Sequence, residues 1–167
     1  MPLLDIKNLR TTFSTQVGQV RAVRGLNLTV DYGESVGIVG ESGSGKSVSM
    51  LSVMGLLPVN AHVNAYSIMF DGRELTTMDE REKRKMHGSE IGMVFQDPMT
   101  SLNPLHTIGM QLMEPIKLHM GLNKAQARER ALEMLKLVNI PSPESRLKQY
   151  PHEFSGGMRQ RVMIAIA

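Results

Sequence analysis

The alternation of apolar and polar positions predicts a β-rich first half of the chain. Residues 3–13 alternate loosely, and residues 22–30 place apolar side chains at every second position, as half-buried strands do. The tripeptide 31–33 is typical of a turn after the second strand. Residues 68–70 are apolar and precede Asp-Gly at 71–72, which predicts another strand and a tight turn. The N-terminal part is therefore expected to contain antiparallel strands.

The second half of the chain shows helical periodicity instead. Residues 107–120 carry apolar side chains at every fourth position, although Pro115 must kink this helix or mark its start. Asn123 can cap a helix over 124–138, whose apolar positions share one face. The charged segment 78–87 predicts a solvated helix with pairs of opposite charge. A helical insertion is therefore expected to follow the β-rich half.

Two continuous apolar runs, at 36–39 and 91–95, are typical of buried strands in a parallel sheet, which gives an α/β fold class. A helix-length apolar run follows the first of them and stops at Pro58. Between this predicted strand and helix lie eight residues that fit G-x-x-x-x-G-K-[ST], the phosphate-binding P-loop. They are Gly40, Glu41, Ser42, Gly43, Ser44, Gly45, Lys46 and Ser47.

The chemistry of this loop is anion capture. Glycine lets the backbone turn tightly, so that successive N–H groups approach a phosphate. The start of the following helix adds free N–H groups and the positive end of its dipole. Lys46 is predicted to reach the β- and γ-phosphates, and the Ser47 hydroxyl to bind Mg²⁺. The pattern alone indicates a nucleotide phosphate and does not separate transporters, kinases, GTPases and DNA-repair ATPases.

Composition narrows the classes without choosing among them. At 167 residues, of which 41% are hydrophobic, the chain is about one domain long and can form a packed core. No segment is long and apolar enough to cross a bilayer, and the N-terminus does not resemble a signal peptide. The absence of cysteine excludes disulfides and thiolate metal sites. A net charge of +3 is too small to argue for nucleic acid.

A second glycine-containing stretch begins at Ser155, which is a good N-cap. The tail 159–167 that follows is typical of the opening of a buried helix. Gly156 and Gly157 leave the start of that helix without side chains, so that it too can touch an anion. Taken by itself, this stretch is better explained as an ordinary capped helix.

Together with the P-loop and with Gln96 at the end of a predicted strand, the Ser-Gly-Gly stretch resembles the ATP-binding-cassette (ABC) family. There Ser-Gly-Gly belongs to the signature sequence and the glutamine to the Q-loop. The longer segments 95–104 and 150–161 look like those of the ATPase subunits of dipeptide and oligopeptide importers. Met158 and Phe154 stand where the broader family usually has Gln and often has Leu. We interpret Met158 as a marker of the importer branch, which uses Met at this position.

The resemblance implies ATP and Mg²⁺ as cofactors, with two ATPase subunits that dimerise head to tail around each ATP. By this resemblance the P-loop holds the phosphates, Ser47 and Gln96 bind Mg²⁺, and Phe13 stacks on adenine. The signature of the second subunit faces the γ-phosphate in trans, and its residues are Ser155, Gly156, Gly157 and Met158. Two helix N-termini aimed at one triphosphate would stabilise a closed dimer that hydrolysis releases.

The resemblance further implies an importer that couples ATP binding and hydrolysis to the uptake of di- and oligopeptides. The expected partners are an identical or paralogous ATPase subunit, membrane-spanning permease subunits and, indirectly, a substrate-binding protein. Nucleic acid is not expected. Residues 99–104 would approach the permease, and the protein would lie peripherally at the cytoplasmic face of the cell membrane.

In domain terms, we expect a β-subdomain and P-loop core at 1–96, a Q-loop and helical subdomain at 97–154, and the signature with the start of its helix at 155–167. The family's Mg²⁺-binding Asp, catalytic Glu, D-loop and switch His should follow, so that the chain is expected to be an N-terminal fragment lacking C-terminal strands. The intact protein should hydrolyse ATP. The fragment should bind nucleotide weakly at most, not hydrolyse it, and expose apolar strand edges that make it marginal, swapped or aggregation-prone.

Three alternatives stay open at this point. A GTPase would need Asn-Lys-x-Asp, which residues 123–126 approach without the Asp. Another P-loop NTPase could use Asp97 as its Walker B ligand for Mg²⁺, with the Ser-Gly-Gly stretch incidental. A soluble ABC ATPase acting on nucleic acid or ribosomes would share both the P-loop and the signature.

Overall fold

The computed structural model describes residues 1–97 and 101–167, and the chain divides into two compact units, Met1–Lys85 and Met86–Ala167. The first unit contains a five-stranded antiparallel sheet in which β2, β1, β4 and β5 are neighbours in that order and β3 also pairs with β1. The strands are β1 (Leu4–Thr15), β2 (Gly18–Val30), β3 (Ala61–Asn64), β4 (Ser67–Phe70) and β5 (Arg73–Glu74).

The long hairpin of β1 and β2 confirms the two strands predicted from the N-terminal alternation. Ile6 and Leu9 of β1 are buried, while β2 is exposed over residues 18–21 and again at Arg24, Asn27 and Thr29. The helix α1 (Lys46–Met54) contacts both strands. Its Ser52 hydroxyl lies 2.7 Å from the Thr11 hydroxyl, and the two polar groups satisfy each other in a buried position.

The helix α1 ends earlier than the sequence predicts. Gly55 adopts a left-handed conformation with φ of 65°, and its N–H and that of Leu56 return to carbonyls of the last turn. This is the usual glycine-terminated helix end, so the helix stops at Met54 and does not run to Pro58.

The predicted turn at 71–72 and the predicted charged helix of the first unit are confirmed. Asp71 and Gly72 both have positive φ, at 47° and 74°, and form the tight turn between β4 and β5. The charged segment forms the helix α2 (Glu80–Met86), in which Lys83 pairs with Glu80 at 3.2 Å.

The second unit is helical. Its described helices are α3 (Ile108–Met120), α4 (Lys124–Leu137), α5 (Pro143–Arg146), a 3₁₀ turn at Pro151–Glu153, and α6 (Gly156–Ile166). They enclose an apolar core that includes Ile108, Leu112, Ala131, Leu135, Phe154 and Val162. Among the described helices of either unit, none combines the length and the apolar character that crossing a bilayer requires.

Capping side chains set the helix starts in this unit as predicted. The Asn123 side chain accepts from the N–H of Ala125 and of Gln126, and the Gln126 side chain accepts from the N–H of Asn123, which completes a capping box. Thr107 caps α3 by accepting from Met110 N. The helix α3 continues through Pro115, so this proline does not mark a helix start.

The two predicted parallel strands are the main correction. Residues 36–39 are irregular and exposed, with Val39 93% accessible, and residues 92–95 are irregular as well. Ile91 makes only an isolated bridge to His87. An inner strand needs a hydrogen-bonded neighbour on each side. Within the described ranges neither run has a strand alongside it, and their apolar side chains are left partly in solvent.

Candidate nucleotide-binding site

Two glycines give the P-loop its shape. Gly43 and Gly45 have φ of 79° and 94°, in the left-handed region that residues with a Cβ rarely adopt. A Cβ at Gly45 would also lie 2.6 Å from the Ala22 carbonyl oxygen and 3.6 Å from Val23 Cγ2 on β2. Position 45 is therefore restricted to glycine both by its conformation and by close packing against the sheet.

The N-terminus of α1 is left open towards the loop. Gly45 is its N-cap and has no side chain, no side-chain cap accepts from the first N–H groups, and the first turn contains no acidic residue. These N–H groups and the positive end of the helix dipole are therefore available to an anion.

Lys46 places its ammonium group inside this loop. Its Nζ donates to the carbonyl oxygens of Gly40 at 2.7 Å and Glu41 at 2.6 Å and to Ser44 Oγ at 3.2 Å. None of these acceptors is a carboxylate, and no salt bridge to Lys46 occurs within the described residues. The loop thus carries an uncompensated positive charge that an incoming phosphate can neutralise.

Ser47 follows Lys46 in the first turn of α1 and is exposed. Its hydroxyl makes no hydrogen bond to any described residue, in contrast to Ser49, whose hydroxyl donates to the Gly45 carbonyl at 2.9 Å. A free hydroxyl oxygen beside a phosphate site suits Mg²⁺, which takes few protein ligands and several from substrate phosphates and water.

A cavity of about 670 Å³ adjoins the loop, a volume within the usual range of small-molecule sites. The P-loop contributes Gly40 and the residues 43–46, and the exposed run before the loop contributes Ile38 and Val39. The third wall is the 21–26 segment of β2. Sequence reasoning missed this wall, because only the register of the hairpin brings β2 beside the loop.

Phe13, the predicted adenine platform, does not line this cavity. It lies on β1 opposite Val20 and Ala61 and is half-buried. Its contact with adenine stays a prediction.

The predicted signature forms the start of α6 in the second unit. Ser155 caps the helix by accepting from Met158 N at 3.3 Å, as the sequence predicts. Ser155, Gly156 and Gly157 are exposed, and a Cβ at either glycine would meet nothing within 4 Å. This second open helix start therefore presents backbone N–H groups without steric obstruction.

Phe154 anchors that helix start in the core. The ring is 2% exposed, and the Arg146 guanidinium lies over it at 5.6 Å from the ring centre. The Arg159 Nε donates to the Phe154 carbonyl at 3.0 Å. Both arginines therefore hold the residue that immediately precedes the cap.

Gln96, the predicted Q-loop residue, and Asp97 are exposed in an irregular stretch of the second unit. The predicted permease-facing segment 99–104 lies partly outside the described residues, since residues 98–100 are not described. Of the part that is described, Ser101 Oγ donates to the Asp97 carbonyl at 2.7 Å.

Comparison with family models matches residues 23–167 to a family described as ABC transporter. The chain is 52% identical over all its 167 residues to the dipeptide transport ATP-binding protein DppD of Escherichia coli and covers 51% of that protein. It is 53% identical over 165 residues to the oligopeptide transport ATP-binding protein OppD of Salmonella typhimurium, of which it covers 49%. OppD of Bacillus subtilis is 50% identical over 166 residues, with 46% covered. The chain thus spans about half the length of the curated relatives it matches.

Solved structures give a similar result. The ATP-binding cassette MJ0796, solved as a dimer bound to ADP and Pi, has a TM-score of 0.84 and 30% identity, covering 98% of this chain and 68% of that one. The cbiO1 protein of Clostridium perfringens, part of the ABC transporter complex cbiONQ, has a TM-score of 0.70 and 25% identity. That match covers 99% of this chain and 60% of that one.

Proposed function

Because the chain belongs to the ABC transporter family, we propose that it is an ATP-binding subunit of an importer that takes up dipeptides or oligopeptides. Identities of 50–53% along essentially the whole chain to peptide-transport ATP-binding proteins support this assignment. The uncompensated Lys46 ammonium beside the uncapped start of α1 supports ATP as the ligand.

Phosphate binding follows from the loop. An incoming triphosphate takes Lys46 Nζ away from the three oxygens that now hold it, and the β- and γ-phosphates become its partners. The free N–H groups of the first turn of α1 then point at the same phosphates. The shape of the loop is preserved because the left-handed glycines fix it independently of the ligand.

Ser47 is the residue of the P-loop that would hold Mg²⁺, and a role for Gln96 stays a prediction from the family resemblance. Both offer neutral oxygen donors, which this ion accepts alongside phosphate oxygens and water. When bound, Mg²⁺ neutralises charge on the triphosphate. The hydroxyl of Ser47 has no competing partner among the described residues, so it can turn its oxygen towards the ion without breaking a bond of the fold.

The Ser155–Met158 signature would act in trans. We propose that a second ATPase subunit, identical or paralogous, brings its helix start to the γ-phosphate held by this P-loop. The exposed and sterically open helix start at Gly156 and Gly157 supports this role, since backbone N–H groups can approach an anion closely only where side chains are absent. Closing of the dimer on ATP would then be transmitted to permease subunits at the cytoplasmic face of the membrane.

Substitution of Lys46 by Ala tests the proposal. In the full-length protein, assembled with its permease, Lys46→Ala should weaken ATP binding by at least about tenfold, because a charge-assisted contact to phosphate is lost. ATP-dependent uptake of a radiolabelled dipeptide into vesicles should fall to background. Lys136→Ala, at an exposed position of α4, is the matched control and should leave both unchanged.

The outcomes separate the parts of the proposal. Unchanged ATP affinity in Lys46→Ala would refute nucleotide binding at this loop. If Lys46→Ala lowers the affinity for ATP but the wild-type complex shows no ATP-dependent peptide uptake, the proposed ATP site is supported and the proposed peptide cargo is refuted.

A further inference from the structure

The strand β2 carries two arginines on the wall of the P-loop cavity. We propose that Arg21 and Arg24 form a second phosphate-binding wall of the nucleotide site, opposite Lys46, and add to its affinity for ATP. This proposal rests on the function proposed above and adds two binding residues that belong to neither the P-loop nor the signature.

Arg21 and Arg24 line the same cavity as Gly40, Gly45 and Lys46. They flank the part of β2 that packs directly against the loop, since a Cβ at Gly45 would touch both Ala22 and Val23. A nucleotide whose phosphates occupy the loop would therefore extend through a cavity that β2 lines on one side.

The charges of Arg21 and Arg24 are not neutralised by any carboxylate of the described residues. No salt bridge to Arg21 or Arg24 occurs within the described part of the chain. The only described side-chain bond of the pair runs from Arg24 Nε to the Arg21 carbonyl at a long 3.5 Å. Arg10 faces Arg24 directly across the two strands and lines a neighbouring groove with Arg21 and Arg24, although it does not line the P-loop cavity. Like charges at opposed cross-strand positions are destabilising, so a phosphate bound beside Arg24 in the P-loop cavity would reduce that cost.

The guanidinium groups of Arg21 and Arg24 favour phosphate as the ligand. Guanidinium groups bind phosphate through two parallel N–H···O bonds and do so better than ammonium groups. The cavity also holds Lys46, and its apolar wall of Ile38 and Val39 suits the uncharged part of a nucleotide. The patch therefore fits the phosphates of ATP, and its contribution should grow with the negative charge of the nucleotide.

The test measures binding of ATP, ADP and adenosine to the full-length protein by isothermal titration calorimetry, at low and at high salt. The double substitution Arg21→Gln and Arg24→Gln should weaken ATP binding by about tenfold at low salt, ADP binding less, and adenosine binding not at all. The loss should shrink at high salt, because exposed charges are screened. The matched control is Arg81→Gln with Arg84→Gln, which makes the same change of net charge at exposed positions of α2.

The outcomes are distinguishable from those of the function itself. If Lys46→Ala weakens ATP binding while the β2 double variant binds ATP like the wild type, the arginine wall is refuted and the nucleotide site is retained. An equal loss for adenosine and ATP, or an equal loss in the α2 control, would also overturn the proposal. Urea unfolding of each variant identifies any loss that comes from misfolding.

Discussion

The substitution Gly45→Ala separates two costs that meet at the start of α1. A residue with a Cβ in the left-handed region costs about 1–2 kcal/mol. Alanine at position 45, where φ is 94°, would incur this cost. It would also place its Cβ 2.6 Å from the Ala22 carbonyl oxygen, well inside van der Waals contact. Because that neighbour is backbone of β2, it can move only with the strand, and forced overpacking adds about 1–3 kcal/mol.

Gly43→Ala is the matched comparison. Gly43 has φ of 79°, so it incurs the conformational cost, yet a Cβ there would meet nothing within 4 Å. The free energy of unfolding in urea should therefore fall by about 1–2 kcal/mol in Gly43→Ala and by about 2–5 kcal/mol in Gly45→Ala. Nucleotide affinity, measured by fluorescence of a labelled ATP, should fall more in the second variant, because the displaced loop no longer aims its N–H groups at the phosphates.

A third variant calibrates the comparison. Gly156→Ala lies in α6 at an unobstructed position without positive φ. It should raise the free energy of unfolding by about 0.5–1 kcal/mol, because alanine loses less conformational entropy than glycine on folding. Equal destabilisation by Gly43→Ala and Gly45→Ala would refute the argument that contact with Ala22 restricts position 45.

Three further outcomes are expected. Thr11→Val removes one partner of the buried hydroxyl pair and should lower the free energy of chemical unfolding by about 1 kcal/mol. The loss should be this small because the Ser52 hydroxyl keeps its bond to the Val48 carbonyl, and a loss above about 3 kcal/mol would contradict this account. Asn123→Ala deletes the cap of α4 and should lower unfolding free energy by about 1 kcal/mol, with Asn123→Gly costing only a few tenths. The hydrogen bond from Lys7, with that from Thr29, holds the pKa of Asp5 below its ordinary value of 3.8. The stabilisation of the fold by ionised Asp5 should therefore be present above pH 3.8 and be lost as the pH falls through the folded-state pKa. Asp5→Asn should flatten this acid part of a pH–stability curve.

Local chemistry explains which parts of the fold could be predicted. The Asn123 cap, the Asp71-Gly72 turn and the β1–β2 alternation each depend on residues close in sequence or on a simple period, and each is confirmed by the structure. The ABC-type fold, predicted from the P-loop and signature motifs together, is confirmed by the solved relatives.

The errors arose where an element depends on distant partners. Residues 36–39 have the composition of a buried strand, but composition does not supply the neighbouring strands that satisfy backbone N–H and C=O groups. The end of α1 was misjudged for a different reason: Pro58 is the stronger breaker, but Gly55 ends the helix first by taking a left-handed cap.

The candidate site divides in the same way. The P-loop could be recognised because its geometry comes from a contiguous motif, and the structure shows the expected open helix start with Lys46 in the loop. Arg21 and Arg24 could not, because they reach the cavity through the pairing of β2 with β1 and through its packing on Gly45.

The three oxygen partners of the Lys46 ammonium also bear on how the loop responds to anions. All three belong to residues within six positions of the lysine, so the charge is already coordinated before any ligand arrives. In the proposed mode of binding, nucleotide capture would be an exchange of hydrogen-bond acceptors around the Lys46 nitrogen, and a measured affinity would report only the difference in free energy between the two sets of acceptors. A small monoanion offers too little to displace three oxygens, whereas a polyphosphate replaces them together, which favours nucleotides over the simpler anions that surround them.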